Sequence, residues 1–322
     1  MASSKQSTII VTGGTGKTGS CVTDLLVASG VPHIVATRSS GSADQLNSAE
    51  FDWMDETTWD NPFAAAAAAA GTDTSSPPPA TTVFLVAPPV FHSSLIMNAF
   101  IDRVRSRHGV KRFVLLASTA VEAGGPAFGG TMARLAELGG KGEIEFAVLR
   151  PSWFQDNWSE QNNLRKPIKE EGKSYSATGD GKIPWVSKYD IAGCAFHALT
   201  DEKPVNGDVI ILGPELLSYA DVITVEMNVA LLINSPDGQC ANIIADVTGK
   251  KVVHVDLTGD ELVARHVQNL GLPEEYARIM AGMDEAIKHG SEEKLNDVVQ
   301  SMTGKKPRTF REFAEANKAV WL

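Results

Sequence analysis

A short apolar run at residues 7–12 (STIIVT) leads directly into Thr12–Gly19 (TGGTGKTG). Residues 20–29 then space Val22, Leu25 and Leu26 along one helical face. Few folds accept a strand, a glycine-rich turn and a helix in such close succession. The run satisfies both Gly14-x-Gly16-x-x-Gly19 and Gly13-x-x-Gly16-x-x-Gly19. Its glycines permit a tight turn, let backbone approach a pyrophosphate, and let the helix pack on the strand. The helix N-terminus offers unpaired N–H groups and partial positive charge to the same phosphates. Gly13, Gly14, Thr15, Gly16, Lys17, Thr18 and Gly19 are therefore candidate cofactor contacts. A nucleoside-triphosphate loop would need glycine five residues before Gly16, where Val11 stands, so Gly16-Lys17-Thr18 does not make one.

The pattern continues with strands at 33–37, 82–87, 112–117 and 144–149, a short one within 49–55, and a helix over 93–107. Near-continuous apolar strands alternating with helices predict an α/β fold: a Rossmann-like, doubly wound parallel sheet covered on both faces. With 322 residues, folding hides about 75% of the extended chain's surface, and length alone suggests two domains. We expect an NADP-binding domain at 1–157 and a smaller, mostly helical substrate lobe at 158–322, with 183–212 returning to the sheet. In the lobe we expect a strand at 252–256 and amphipathic helices at 260–269, 274–289 and 310–319. Ala64–Ala70 reads as a helix end running into a Pro-rich surface loop at 71–79. Residues 217–222 begin a helix with Ser218 as N-cap, and 241–247 continue it, placing Tyr219, Val222, Ile244 and Val247 on one stripe. We read the intervening 223–240 as an insertion of the kind an unspliced intron would add.

A net charge of −10 argues against nucleic acid as a partner, since phosphate binding relies on clustered Lys and Arg. No cationic, apolar leader opens the chain and no apolar run reaches about 20 residues, so a membrane partner is not expected. Cys21, Cys194 and Cys240 form no C-x-x-C pair, which suits reduced thiols in a cytoplasmic protein. His92 and His197 read as surface or packing residues, and no spacing suggests a metal.

At the end of the second strand stands Arg38, 19 residues after Gly19, where an NAD-preferring site usually carries an acid for the ribose hydroxyl. A guanidinium pairs with a 2′-phosphate, so NADPH is the expected cofactor. Val86 and Ala87, closing their strand, are assigned to it as well. The Tyr of a Tyr-x-x-x-Lys pair, the usual proton donor, is missing: Gly179, Gly193, Ile223 and Met280 stand four residues after the four tyrosines. The helix expected over 126–138 contains neither Tyr nor Lys. Either the chain binds dinucleotide without turnover, or its substrate needs no strong acid, as an electron-poor iminium carbon would not. Ligands of such sheets bind beyond the strands' carboxyl ends. There lie Pro88 and Phe91, Ser118 and Thr119, and the aromatic segment 151–158 with Trp153, Phe154 and Asn157. We assign these seven residues to a pocket for a flat, cationic indolic substrate.

The chain resembles the NmrA-like atypical short-chain dehydrogenases, and within them the fungal festuclavine/agroclavine dehydrogenases of ergot alkaloid synthesis. TGGTGKTGS, FDWMDE (51–56), FLVAPPVF (84–91), GVKRFVLLAST (109–119), LRPSWFQDNWSE (149–160) and YSATGDGKIPWVSKYDIA (175–192) carry the resemblance. It implies NADPH-dependent reduction of the cyclic iminium formed from chanoclavine-I aldehyde, giving festuclavine or agroclavine, with functional coupling to a flavoenzyme of the pathway. The alternative is a non-catalytic NmrA-type regulator that senses dinucleotide. The departures are the Ala/Pro-rich stretch at 64–79 and the 223–240 excursion.

Overall fold

The computed structural model describes residues 7–38, 47–70, 80–223 and 243–322. The chain opens with β1 (Thr8–Thr12), α1 (Lys17–Ala28), β2 (His33–Thr37), β3 (Ser48–Glu50), α2 (Asn61–Ala70), β4 (Ala80–Val86), α3 (Ser93–His108), β5 (Arg112–Leu116), α4 (Gly129–Gly140) and β6 (Glu145–Pro151). There follow α5 (Asn157–Glu160), α6 (Asn162–Glu171) and β7 (Lys173–Ser176), then α7 (Lys188–Thr200) and β8 (Gly207–Ile211). The remainder forms α8 (Tyr219–Ile223), α9 (Ile243–Thr248), β9 (Val253–Asp256), α10 (Gly259–Leu270), α11 (Glu274–Lys288), α12 (Val298–Thr303) and α13 (Phe310–Asn317).

Two compact units result. The first takes the chain up to Pro151 and adds Lys188–Ile211 and Ser301–Gly304; the second comprises Ser152–Ser187, the described part of Leu212–Gln300, and Lys305–Leu322. The division falls after Pro151 and not after 157. The reason is that β6 stays paired with β8 through Pro151, whereas Trp158 is buried in the second unit's core. The segment that returns to the sheet is Lys188–Ile211, slightly shorter than 183–212.

The first unit is a seven-stranded parallel sheet in the order β3-β2-β1-β4-β5-β6-β8. Ile10, Val83, Leu85, Phe113, Leu115 and Val148 point into one core, filled by Phe63 of α2, Phe100 and Val104 of α3, and Leu135 of α4. The alternate residues Ile9, Val11, Phe84, Val114 and Leu149 are equally buried, on the face covered by α1 and α7. Burial on both faces is why these strands read as unbroken apolar runs. Gly109, with φ of +66°, closes α3 in the left-handed conformation that glycine adopts without steric cost.

In the second unit β7 and β9 form a parallel pair, and Trp158, Trp185, Tyr219, Phe310 and Trp321 build an aromatic core. Capping boxes at Thr258–Glu261 and Thr309–Glu312 start α10 and α13. Ser218 Oγ accepts from the Asp221 amide at 3.0 Å, capping α8. The expected stripe meets in that core: Tyr219, Val222 and Ile244 are buried together and Val247 packs against them. Ile223, read as the first residue of an insertion, instead belongs to α8 and is buried; residues 224–240 and the Pro-rich loop 71–79 lie outside the described residues.

Candidate functional site

The glycine loop takes its shape from three close approaches. Gly13 has φ of +63°, and a Cβ there would meet Val86 Cβ at 2.9 Å. A Cβ on Gly14 would meet Val35 at 2.8 Å, and one on Gly19 would lie 2.1 Å from the Gly13 carbonyl oxygen. The Gly16 amide donates to that same oxygen at 2.9 Å, folding the loop back on itself. Just below, Thr12 Oγ1 donates to the Phe84 carbonyl at 2.9 Å and accepts from the Val86 amide at 2.9 Å, which fixes the ends of β1 and β4 side by side.

Gly16 is the N-cap of α1 and supplies no side-chain oxygen to its first turn. Helices commonly use Ser, Thr, Asp or Asn for that purpose. A glycine there places no capping side-chain oxygen at the first turn, and the cradle it shares with Gly13, Gly14 and Gly19 is one that a Cβ would fill. The residues present thus fit a dinucleotide.

The loop opens on a cleft of about 480 Å³ lined by Gly13, Thr15, Gly16, Arg38, Val86, Ala87 and Pro88, together with Ala36, Thr37, Phe51, Asp52, Trp53, Met54, Pro89 and Val90. Seven residues named from the sequence therefore meet at one surface. Arg38, exposed at the end of β2, is among them. Lys17 and the buried Thr18 sit in the first turn of α1, beyond the lining.

The wall formed by Phe51–Met54 was not assigned to the site from the sequence. Its signal was available, since the segment follows β3 at the same carboxyl edge as the glycine loop. The wall is rigidly built. Asp52 Oδ1 accepts from the Met54 amide at 2.9 Å, Thr58 Oγ1 accepts from the Asp52 amide at 2.8 Å, and Trp59 Nε1 donates to the Asp52 carbonyl at 3.1 Å. The Trp53 ring stands edge-on to Phe51 and Phe100, with centroids 5.0 and 5.1 Å away.

Phe91, Ser118 and Thr119 lie outside this lining. Phe91 is exposed at the end of the β4–α3 loop, and the Ser118 hydroxyl accepts from the Ala120 amide at 3.1 Å. Thr119 continues the pairing of β5 with β6, its amide donating to the Pro151 carbonyl at 3.0 Å. α4 carries no Tyr or Lys, and its Arg134 is occupied by Asp102 and Glu137.

In the second unit the aromatic segment divides. Trp158 is fully buried against Trp185, Tyr219 and Phe310, so it is core and no part of a pocket wall. Trp153, Phe154 and Asn157 are half-buried. They are held by a bridge of Phe154 to Val186, and by Gln155, whose amide nitrogen donates to the Trp185 and Arg308 carbonyls at 3.1 and 2.9 Å. His197 pairs with Asp201 at 3.1 Å, and His92 is exposed. Among the described residues, no group of His, Cys, Asp and Glu could hold a metal, and no helix is long and apolar enough to cross a membrane.

No family model matches the chain. Over 316 residues it is 40% identical to agroclavine dehydrogenase of Claviceps fusiformis, an alignment covering 98% of this chain and 99% of that one. It is 39% identical over 314 residues to festuclavine synthase II of Penicillium roqueforti, with coverages of 98% and 99%. Among solved structures, the Citrobacter sp. triphenylmethane reductase complexed with NADP(H) matches with a TM-score of 0.70 at 20% identity, over 96% of this chain and 99% of that one. That last likeness is one of fold.

Proposed function

Because the chain belongs to the festuclavine/agroclavine dehydrogenase family of NmrA-like atypical short-chain dehydrogenases, we propose that it is an NADPH-dependent reductase of the cyclic iminium derived from chanoclavine-I aldehyde, releasing festuclavine or agroclavine. The observation that carries the reading is a conjunction: a glycine cradle and Arg38 share one cleft, while α4 lacks the Tyr and Lys of ordinary carbonyl reduction.

The chemistry that NADPH supplies when bound is a hydride. An iminium carbon is already electron-poor, and its reduction yields a neutral amine, so no side chain has to deliver a proton. What the protein contributes is then placement and exclusion of water. Gly13, Gly14, Thr15, Gly16 and the first-turn residues Lys17, Thr18 and Gly19 are proposed to hold the phosphates through backbone amides. Arg38 is proposed to pair with the 2′-phosphate, which has no counterpart in NADH. Val86 and Ala87 are proposed to lie along the cofactor.

At the carboxyl ends of β4 and β5, Pro88, Phe91, Ser118 and Thr119 are proposed to meet the substrate. Trp153, Phe154 and Asn157 are retained as proposed substrate contacts, each to be tested by its own alanine variant. The deciding experiment offers the purified chain NADPH and the iminium, and follows loss of NADPH absorbance and formation of product. Turnover with NADPH well above that with NADH is expected. A chain that binds NADPH tightly yet leaves it unconsumed would favour a dinucleotide-sensing regulator instead.

A further inference from the structure

We propose that Arg150 is a positioning residue for turnover, acting through the β5–α4 loop; this rests on the iminium-reductase reading above. Arg150 lies near the end of β6, and its side chain is only 12% exposed. Its Nε donates to the Ser118 carbonyl at 3.4 Å. Nη2 reaches the Thr119 and Val121 carbonyls at 3.4 and 3.2 Å and the Glu122 carboxylate at 2.7 Å. Nη1 pairs with Asp208 of β8 at 3.0 Å. One side chain thus gathers four acceptors from the 118–122 loop and ties them to the neighbouring strand.

The loop is also held by the Thr119 amide and Oγ1, which donate to the Pro151 carbonyl at 3.0 and 3.4 Å. Ser118 Oγ accepts from the Ala120 amide, the Glu122 carbonyl accepts from the Gly125 amide, and Val121 packs on the core. Arg150 adds donors to three of the loop's carbonyls at once. The bonds from Arg150 to the Ser118, Thr119 and Val121 carbonyls are part-buried, and an acceptor left unpaired once buried costs about 1–3 kcal/mol. A planar fork of five N–H donors meets that need where a point charge does not, so Lys is no substitute for Arg here. None of residues 118–122 lines the cofactor cleft. A defect confined to this loop should therefore appear in substrate handling and spare NADPH binding.

The test compares the full-length wild type with Arg150→Lys, Ser118→Ala and the double variant, measuring kcat and KM for the iminium, the NADPH Kd and Tm. Arg150→Lys is expected to lower kcat/KM about 10- to 100-fold, the scale of a misplacement near 1 Å, with the NADPH Kd held within about twofold. The double variant should lose no more than Arg150→Lys alone, since both act through the same group. If Arg150→Lys does not fold, Glu122→Ala removes the shortest loop contact and should give a smaller loss, again not multiplying with Ser118→Ala. Unchanged kcat/KM, multiplying losses, or an NADPH Kd weakened as much as kcat/KM would overturn the assignment. A wild type that consumes no NADPH would instead sink the reductase reading itself.

Discussion

Gly19→Ala puts the phosphate cradle to the test. The added Cβ would sit 2.1 Å from the Gly13 carbonyl oxygen, 2.8 Å from its carbon and 2.9 Å from Gly14 Cα, all backbone atoms that cannot swing aside like a side-chain tip. Ordinary contact begins near 3.4 Å, so the loop must open by about 1.3 Å. That displacement pulls the Gly13 carbonyl from the Gly16 amide and moves the N-terminus of α1 relative to the loop. Misplacement of this order costs about 100-fold in function, or close to 2.7 kcal/mol in NADPH binding. The fold itself should lose about 1–3 kcal/mol, as for other overpacked sites, and stay cooperative. Titrating NADPH by fluorescence and unfolding in urea separates the two effects. Gly140→Ala in α4, where no atom lies within 4 Å, is the control. It should leave NADPH binding alone and gain up to about 1 kcal/mol of helix propensity. A Gly19→Ala Kd within about threefold of wild type, under 1 kcal/mol, would refute a close approach of loop and helix as the basis of binding.

Arg38→Asp should weaken NADPH about 10- to 100-fold, the loss of one charge-assisted pair worth about 1.5–3 kcal/mol, while NADH binds as before or better; equal effects on both would remove Arg38 from specificity. Burial in the second unit raises the Asp284 carboxyl to about 6, although the Ala177 amide donates to it at 2.9 Å. The folded form therefore holds this proton more tightly than the unfolded chain. Its contribution is fully present below pH 4 and is lost as pH rises through 6, about 3 kcal/mol in all at 1.36 kcal/mol per unit. Asp284→Asn should lack that slope, so urea unfolding at pH 4 and pH 8 should show wild type falling relative to the variant; parallel behaviour would refute it. Burial pushes the Cys194 thiol up to about 12, so iodoacetamide should reach it only in denaturant, and rapid native alkylation at pH 8 would contradict its placement.

Legibility followed the reach of each interaction. β2 occupies the residues expected for it, and β1, β4, β5 and β6 lie within two residues of expectation, because a doubly covered strand is apolar at every position. The short β7 (KSYS) was missed: it has no apolar period, and it is a strand because β9, some 80 residues away in sequence, pairs with it. Trp153 and Trp158 look alike in the sequence and both meet Trp185, yet only the latter is fully buried, a difference made by Tyr219 and Phe310. The division within the cofactor site has the same origin. Backbone that must approach phosphate demands glycine at fixed offsets within one turn, and such a demand is written locally. The wall opposite needs only side chains of suitable shape at the next strand end, so Phe51–Met54 carried no offset to recognise. The substrate contacts proposed for Pro88, Phe91, Ser118 and Thr119 are of this second kind, since only the pairing of β4 with β5 brings these residues to one edge. Arg150 illustrates the consequence: nothing in LRPSW distinguishes it from a solvated arginine, and its proposed role emerges only when β6 pairs with β5 and brings four residues of another loop within its reach.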